Sequence, residues 1–321
     1  MTGPGALRQE LAGEGPGPEI GTLPGVLSER QGAGFPAHGW AGLALVLIFW
    51  AANWGLPGLR TAWAFFPLWL GLCLTLDGLV YWRKSTSLLA RDRRAYAAMF
   101  LISAPVWWLF EALNVRTQNW LYDGIQYFSW WQSALLSTLA FSTVMPAVFG
   151  AAELAGTFGW VRRLRPGPRV APTRFTLWLF FAAGWLMVAL LLAWPRYCFI
   201  FVWGALYLIV EPIDARLGGR TILSSTAERD WRPVIALWIG VLLCAFFWEM
   251  WNFFSYPKWV YHVPYVGFLH VFEMPLLGYL GYLPFSLELF ALYHLVERLF
   301  RSHTGRAYVE LIGSREMGSG E

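Results

Sequence analysis

Charge is scarce in this sequence, and cysteine scarcer still. Only 14% of the 321 residues are Asp, Glu, Lys or Arg, against 57% hydrophobic residues and 21 Trp. That is too little polar side chain to coat a soluble chain of this size, so a water-soluble enzyme is excluded. The three cysteines, Cys73, Cys198 and Cys244, stand singly inside apolar runs. With no CxxC or Cys/His spacing, neither a disulfide framework nor a metal site is expected. Also missing are a GxGxxG after a strand, a P-loop, HExxH, GxSxG and an Asp-rich diphosphate-binding repeat, so no cofactor is expected. The net charge of +4 does not call for nucleic acid, because membrane proteins gather Lys and Arg in their cytoplasmic loops.

What is present is a series of long apolar runs. Each is long enough to cross a hydrocarbon layer of about 30 Å as a helix. Eight segments are predicted, at 39–57, 62–82, 96–116, 132–155, 176–194, 196–214, 233–254 and 270–299. The expected fold class is therefore all-α, a polytopic membrane protein. Pro275 and Pro284 predict a kinked or broken eighth segment. Residues 1–38, rich in Gly and Pro and without apolar period, read as a disordered tail. No cleavable leader precedes the first run, which is expected to serve as the targeting signal. If both termini are cytoplasmic, the opposite side carries only Arg60, Arg116, Arg196 and Lys258, and the other 20 of the 24 basic residues face the cytoplasm. That asymmetry predicts a multi-pass protein with both ends inside, in the plasma (inner) membrane if the cell is prokaryotic. The basic loops are also places where anionic lipid headgroups would gather.

The two halves carry the same landmarks in the same order. The first reads Trp69, Asp77, a basic loop, FEALN with Glu111 and Asn114, WLY with Trp120 and Tyr122, then Met145-Pro146. The second reads Trp203, Glu211, a basic loop, WEMWN with Glu249 and Asn252, WVY with Trp259 and Tyr261, then Met274-Pro275. The spacing between copies grows from 134 residues at the first Trp to 139 at the Tyr and drops to 129 at the prolines. This predicts a duplication: a four-helix unit at 39–157, a basic loop at 158–175, a second unit at 176–299 and a cytoplasmic tail at 300–321. With an even number of crossings each, the copies are parallel repeats about an axis along the membrane normal.

An ionised side chain at mid-membrane costs about 2.5–3.5 kcal/mol on insertion scales, so the acids in these runs are the first functional candidates. They are Asp77, Glu111, Glu153, Glu211, Asp214, Glu249, Glu273 and Glu288, joined by His270 and His294. The leading set is Glu249, Glu273, Glu111 and His270 as acid–base groups. On a helix His270 and Glu273 would share a face and exchange a proton. Asn252, Asn114, Trp248, Trp251, Trp259, Tyr261 and Glu288 are the candidate substrate-binding residues, Glu288 lining the same space from below. The bland alternative is interhelical hydrogen bonding by the same Glu and Asn. Asp77 and Glu211 are expected to pair with the basic loops, and His294 to be solvated or snorkelling. Trp107 and Trp108, with Trp248 and Trp251, flank the glutamates, where ring faces would stabilise a cation or simply pack.

WEMWN, WVY and FEMP (Phe272 to Pro275), with FEALN, WLY and Met145-Pro146 as a second copy, resemble the membrane-embedded, flavin-independent lycopene cyclase domain family. The resemblance spans residues 62–295. It implies a tandem helical fold and acid–base chemistry on a polyisoprenoid, in which a carboxyl protonates a double bond and another group takes a proton from the carbocation. The family's Pro-x-Glu-Glu motif is not kept: here the glutamate precedes proline, and Val144 replaces it in the first copy. The partner expected is a membrane lipid or lipophilic small molecule, with no nucleic acid. Two other classes stay open, a carrier coupled to protons or cations and a non-catalytic assembly or lipid-binding protein.

Overall fold

The computed structural model describes residues 34–164, 166–300 and 308–312. The disordered tail expected at 1–38 lies outside the described residues except for its last five, and the 300–321 tail is described only at Phe300 and 308–312.

The chain is a multi-pass helical membrane protein. Among the described residues, seven helical segments are long and apolar enough to cross a membrane, and a pair of helices bent by 43° makes an eighth if the pair is one broken span. In chain order the helices are α1 (Ala37–Gly55), α2 (Thr61–Lys84), α3 (Leu88–Arg91), α4 (Arg93–Thr117), α5 (Trp130–Phe141), α6 (Val144–Gly156) and α7 (Gly159–Arg162). They continue with α8 (Arg174–Ala193), α9 (Pro195–Cys198), α10 (Ala205–Arg216), α11 (Ile222–Ala227), α12 (Arg232–Phe253) and α13 (Tyr282–Phe300). α5 and α6 together make one crossing, and the bent pair is α9, with the turn after it, and α10. The short strands are β1 (Trp120–Asp123), β2 (Lys258–Tyr261), β3 (His270–Val271) and β4 (Met274–Pro275).

Local sequence sets several of the helix starts. Asp92 accepts the backbone N–H groups of Arg94 and Ala95 to open α4, Thr173 accepts that of Thr176 to open α8, and Ser129 and Gln132 form a capping box on α5. Each cap answers donors that a helix leaves unpaired in its first turn. The first two crossings then pack through glycine. A Cβ on Gly42 would lie 2.7 Å from the Gly71 carbonyl oxygen, and one on Gly71 would lie 2.8 Å from that of Gly42. Small residues let backbones approach where no water drives helices together.

The same device joins the halves, since a Cβ on Gly240 of α12 would come within 2.4 Å of the backbone nitrogen of Ala152 in α6. Backbone on both sides leaves nothing to rotate away. Gly240→Ala is expected to destabilise the protein by about 1–3 kcal/mol, seen as a lowered melting temperature in detergent with the wild-type fold otherwise retained.

The acids near the basic end hold the halves to their own loops. Asp77 accepts the Ser87 hydroxyl (2.7 Å) and the Leu89 N–H (2.9 Å), and pairs with His38 at 2.9 Å. Glu211 accepts the Leu223 N–H at 2.7 Å. Both therefore sit at the starts of short helices, α3 and α11, which Ser87 and Thr221 also cap. The pairing with basic loops expected for Asp77 and Glu211 is corrected accordingly: unsatisfied backbone donors at these helix starts are the nearer partners. His294 is also buried, at 5% exposure against Phe290, Tyr293 and Glu297, rather than solvated.

The segment 308–312 belongs to the core. Tyr308, Val309 and Leu311 are buried, the Tyr308 hydroxyl donates to the Leu88 carbonyl (2.9 Å), and the Glu310 N–H donates to Glu153 (2.8 Å). Glu153 is held as well by Arg91 and, at 3.0 Å, by Lys84. These residues of the expected cytoplasmic tail dock on the bundle, where the Glu310 N–H serves a buried carboxylate.

Candidate active site

At the opposite end from the basic loops, β1 and β2 pair antiparallel with Trp120 opposite Tyr261, Leu121 opposite Val260 and Tyr122 opposite Trp259. The two WxY elements thus meet in a register that is unchanged when the strands exchange places, as a two-fold contact requires. Each strand is fixed by the asparagine of its own helix. Asn114 accepts the Trp120 N–H (3.3 Å) and donates to its carbonyl (2.8 Å), and Asn252 does the same to Trp259 at 2.9 and 2.7 Å. Asn114 and Asn252 therefore position backbone and do not face a ligand.

A turn earlier on the same helices stand the glutamates. Glu111 Oε1 accepts three donors: the Tyr122 hydroxyl at 2.5 Å, the Trp120 indole at 3.0 Å and the Trp107 indole at 3.1 Å. Glu249 Oε1 accepts the hydroxyls of Tyr282 at 2.6 Å and Tyr261 at 2.7 Å, and the Trp259 indole donates in turn to Tyr261 at 2.9 Å. Glu249 is wholly buried, and its Oε2 has no partner among the described residues. Glu111 is partly exposed. Burial, and next the adjacent carboxylate, pushes the Tyr122 and Tyr261 hydroxyls well above the usual tyrosine value. Both therefore remain O–H donors at ordinary pH.

These side chains wall a cavity of about 200 Å³. Trp107, Trp120, Trp203, Trp248, Trp259, Tyr122, Tyr261 and Tyr282 line it, whereas Glu111 and Glu249 lie behind their hydroxyl and indole partners. The cross-packing repeats between halves. Trp69 lies against Trp248 at 5.1 Å between ring centroids, and Trp203 stacks on Phe110 at 5.8 Å and on Trp120 at 5.8 Å. Each half thus lends an aromatic ring to the other half's glutamate helix.

Other candidates fall elsewhere. His270 and Glu273 do not share a helix face, because residues 270–275 form a hairpin of β3 and β4 turning through Phe272 and Glu273. Pro275 lacks the N–H that an α-helix would need there, and α13 begins only at Tyr282. His270 is exposed, and Glu273 is paired with Lys258 at the cavity wall. Glu288 is absent from the lining: buried in α13, it accepts the N–H groups of Gly204 (2.7 Å) and Leu206 (3.0 Å), where α10 starts inside the bundle. Trp251 packs behind the site on Trp69 at 5.3 Å and on Trp50 at 5.8 Å. Trp108 is 40% exposed and donates to Thr138 at 3.0 Å. Met145-Pro146 and Met274-Pro275 are not structural equivalents, since the first pair lies in the opening turn of α6 and the second forms β4.

Sequence reasoning missed Tyr282, which no repeated motif marks, as well as Trp203 and the first-copy pair Trp120 and Tyr122 as site residues. The last three were visible as landmarks; equal weight on both copies would have found them.

The fold and cavity define the class: a polytopic helical membrane protein with an aromatic-walled chamber backed by two carboxyls. No described protein family, curated protein or solved structure matches the chain.

Proposed function

We propose that the protein is an intramembrane enzyme performing acid–base chemistry on a lipophilic isoprenoid, cyclase- or hydratase-like, without a cofactor. The observation that supports this is the linkage of two carboxyls, Glu249 wholly and Glu111 partly buried, through tyrosine hydroxyls to one apolar cavity. A carboxyl open to the cavity would drag water in with it; a tyrosine hydroxyl relays a proton while presenting a largely apolar ring.

In this reading Glu249 is the acid. Protonated on Oε1, it donates to the oxygen of Tyr282 or Tyr261, whose own O–H turns to the cavity; the Glu249 proton then passes to that phenol oxygen as the phenol proton moves to a substrate double bond, leaving a carbocation and a carboxylate. The faces of Trp203, Trp248 and Trp259 stabilise the cation by their ring quadrupoles. For cyclisation, a second double bond closes the ring on the cation. The Tyr122 oxygen then takes a proton from the adjacent carbon as its own passes to Glu111, and the electrons of the broken C–H bond restore a double bond. One proton enters and one leaves, and nothing is oxidised. Three indole and hydroxyl donors on Glu111 suit an anion that receives, and the lone Oε2 of Glu249 suits a carboxyl that gives. The basic end of the bundle faces the cytoplasm of a plasma membrane in this reading, where its Arg and Lys meet anionic lipid.

The test is mass spectrometry of lipid extracts from cells carrying the wild-type gene, Glu249→Gln or no insert, in hosts with and without a carotenoid pathway. A new isoprenoid that disappears with Glu249→Gln is expected. Unchanged profiles beside normal membrane expression would overturn the enzyme reading in favour of a carrier or of a non-catalytic assembly or lipid-binding protein.

A further inference from the structure

Most residues of the cavity lining are partly covered. Only Ile125, at 39%, and Leu139, at 41%, are exposed among the residues that line it, and both are apolar. Leu139 belongs to α5, a helix with two kinds of face. Trp131 and Leu135, two turns and one turn before it, are 61% and 54% exposed, and a crossing helix that exposes such a row shows it to lipid. Ser133, Ser137 and Ala140 of the same helix line the cavity instead. α5 is thus a single-helix partition between chamber and bilayer, with Leu139 on its edge.

The charges point the same way. Lys258, the one cation in the lining, is neutralised by Glu273, and the carboxyls stand behind aromatic rings. Nothing in this wall draws a dissolved ion.

We infer that the cavity is entered sideways from the lipid, past Leu139 and Ile125, and that its ligand is one end of a bilayer-dissolved hydrocarbon chain. Ser133, Ser137 and Ala140 set the width available to that end. A chamber of about 200 Å³ is smaller than the roughly 300–1,000 Å³ of pockets that swallow a whole drug-sized ligand, so the rest of the chain stays between α5 and the lipid. The inference concerns the site of the proposed enzyme and adds its route of entry and the physical state of its substrate.

The test uses a long-chain alkyl diazirine dissolved in phosphatidylcholine vesicles holding the whole protein. Photolysis is followed by peptide mass spectrometry. Wild type is expected to carry adducts on the cavity wall at Tyr122 and Ser137 as well as on the lipid face at Trp130 and Trp131. Leu139→Trp, and separately Ile125→Trp, should lose the cavity adducts and keep those on the lipid face, which report that the helix is in place. Cavity adducts that persist in both variants, or that form only with a water-soluble diazirine, overturn lateral entry. No product is measured, so the outcome is separate from that of the enzymatic reading: labelling that fails while product forms rejects only the route, and the converse rejects only the chemistry.

Discussion

Glu249→Gln is expected to leave a folded protein in the membrane and to lower product formation by about 10²–10⁴-fold, the range for loss of a positioned acid or base. The amide oxygen still accepts the Tyr261 and Tyr282 hydroxyls that Oε1 accepts in the wild type, so the wall of the cavity stays in place. What disappears is a proton that can leave. Abundance in washed membranes and the melting temperature in detergent should match wild type while the lipid product falls. Glu111→Gln should show a comparable loss for the complementary reason, since an amide cannot receive the proton coming from Tyr122. If either variant forms product at the wild-type rate, its carboxyl does not carry protons, and the hydrogen-bonding role weighed at the outset is the correct one for it.

Glu288 is as deeply buried as Glu249, yet the expected result is the opposite. Glu288→Leu leaves the Gly204 and Leu206 N–H groups, both partners of one carboxylate oxygen, facing hydrocarbon. At about 1–3 kcal/mol for each unsatisfied donor, about 2–6 kcal/mol is lost where α10 begins, and the protein should be degraded or depleted from membranes before activity can be assessed. Glu288→Gln keeps an acceptor oxygen and should recover most of the abundance and the product. A stable Glu288→Gln protein without product would instead place this carboxyl in the chemistry.

Glu249 and Glu288 also show what the sequence could convey. Apolar runs longer than a bilayer is thick give the crossings within a few residues, because hydrocarbon leaves a backbone little choice but helix. Predicted 233–254 is observed as Arg232–Phe253, and predicted 62–82 as Thr61–Lys84. Repetition of Glu, Asn and WxY brought out the elements that build the site. What an acid does once buried is another matter, because its donors come from residues far along the chain: Tyr282 lies 33 residues from Glu249, and Gly204 lies 84 from Glu288. Residues 270–281 were misread for a related reason. Apolar and aromatic content there fits a helix, but Pro275 and the left-handed turn at Phe272 break the backbone, so His270 and Glu273 were given a shared face they do not have. The docking of Tyr308 to Ile312 rests on the unmet needs of Glu153, which composition does not display.

The symmetric register of β1 and β2 bears on ancestry. A ribbon that looks the same after its strands are exchanged needs only one kind of strand, so two copies of a single four-span chain can build it. The molecule has the geometry that two joined copies of one such chain would give. The two halves differ around the two acids. Trp107 donates to Glu111, but Ala245, four residues before Glu249, has no indole to offer. Tyr282 opens α13 and donates to Glu249, whereas Val144 at the first position of α6 has no hydroxyl. One glutamate thus has indole donors and the other a second phenol, so that two copies of one sequence pattern need not do the same thing.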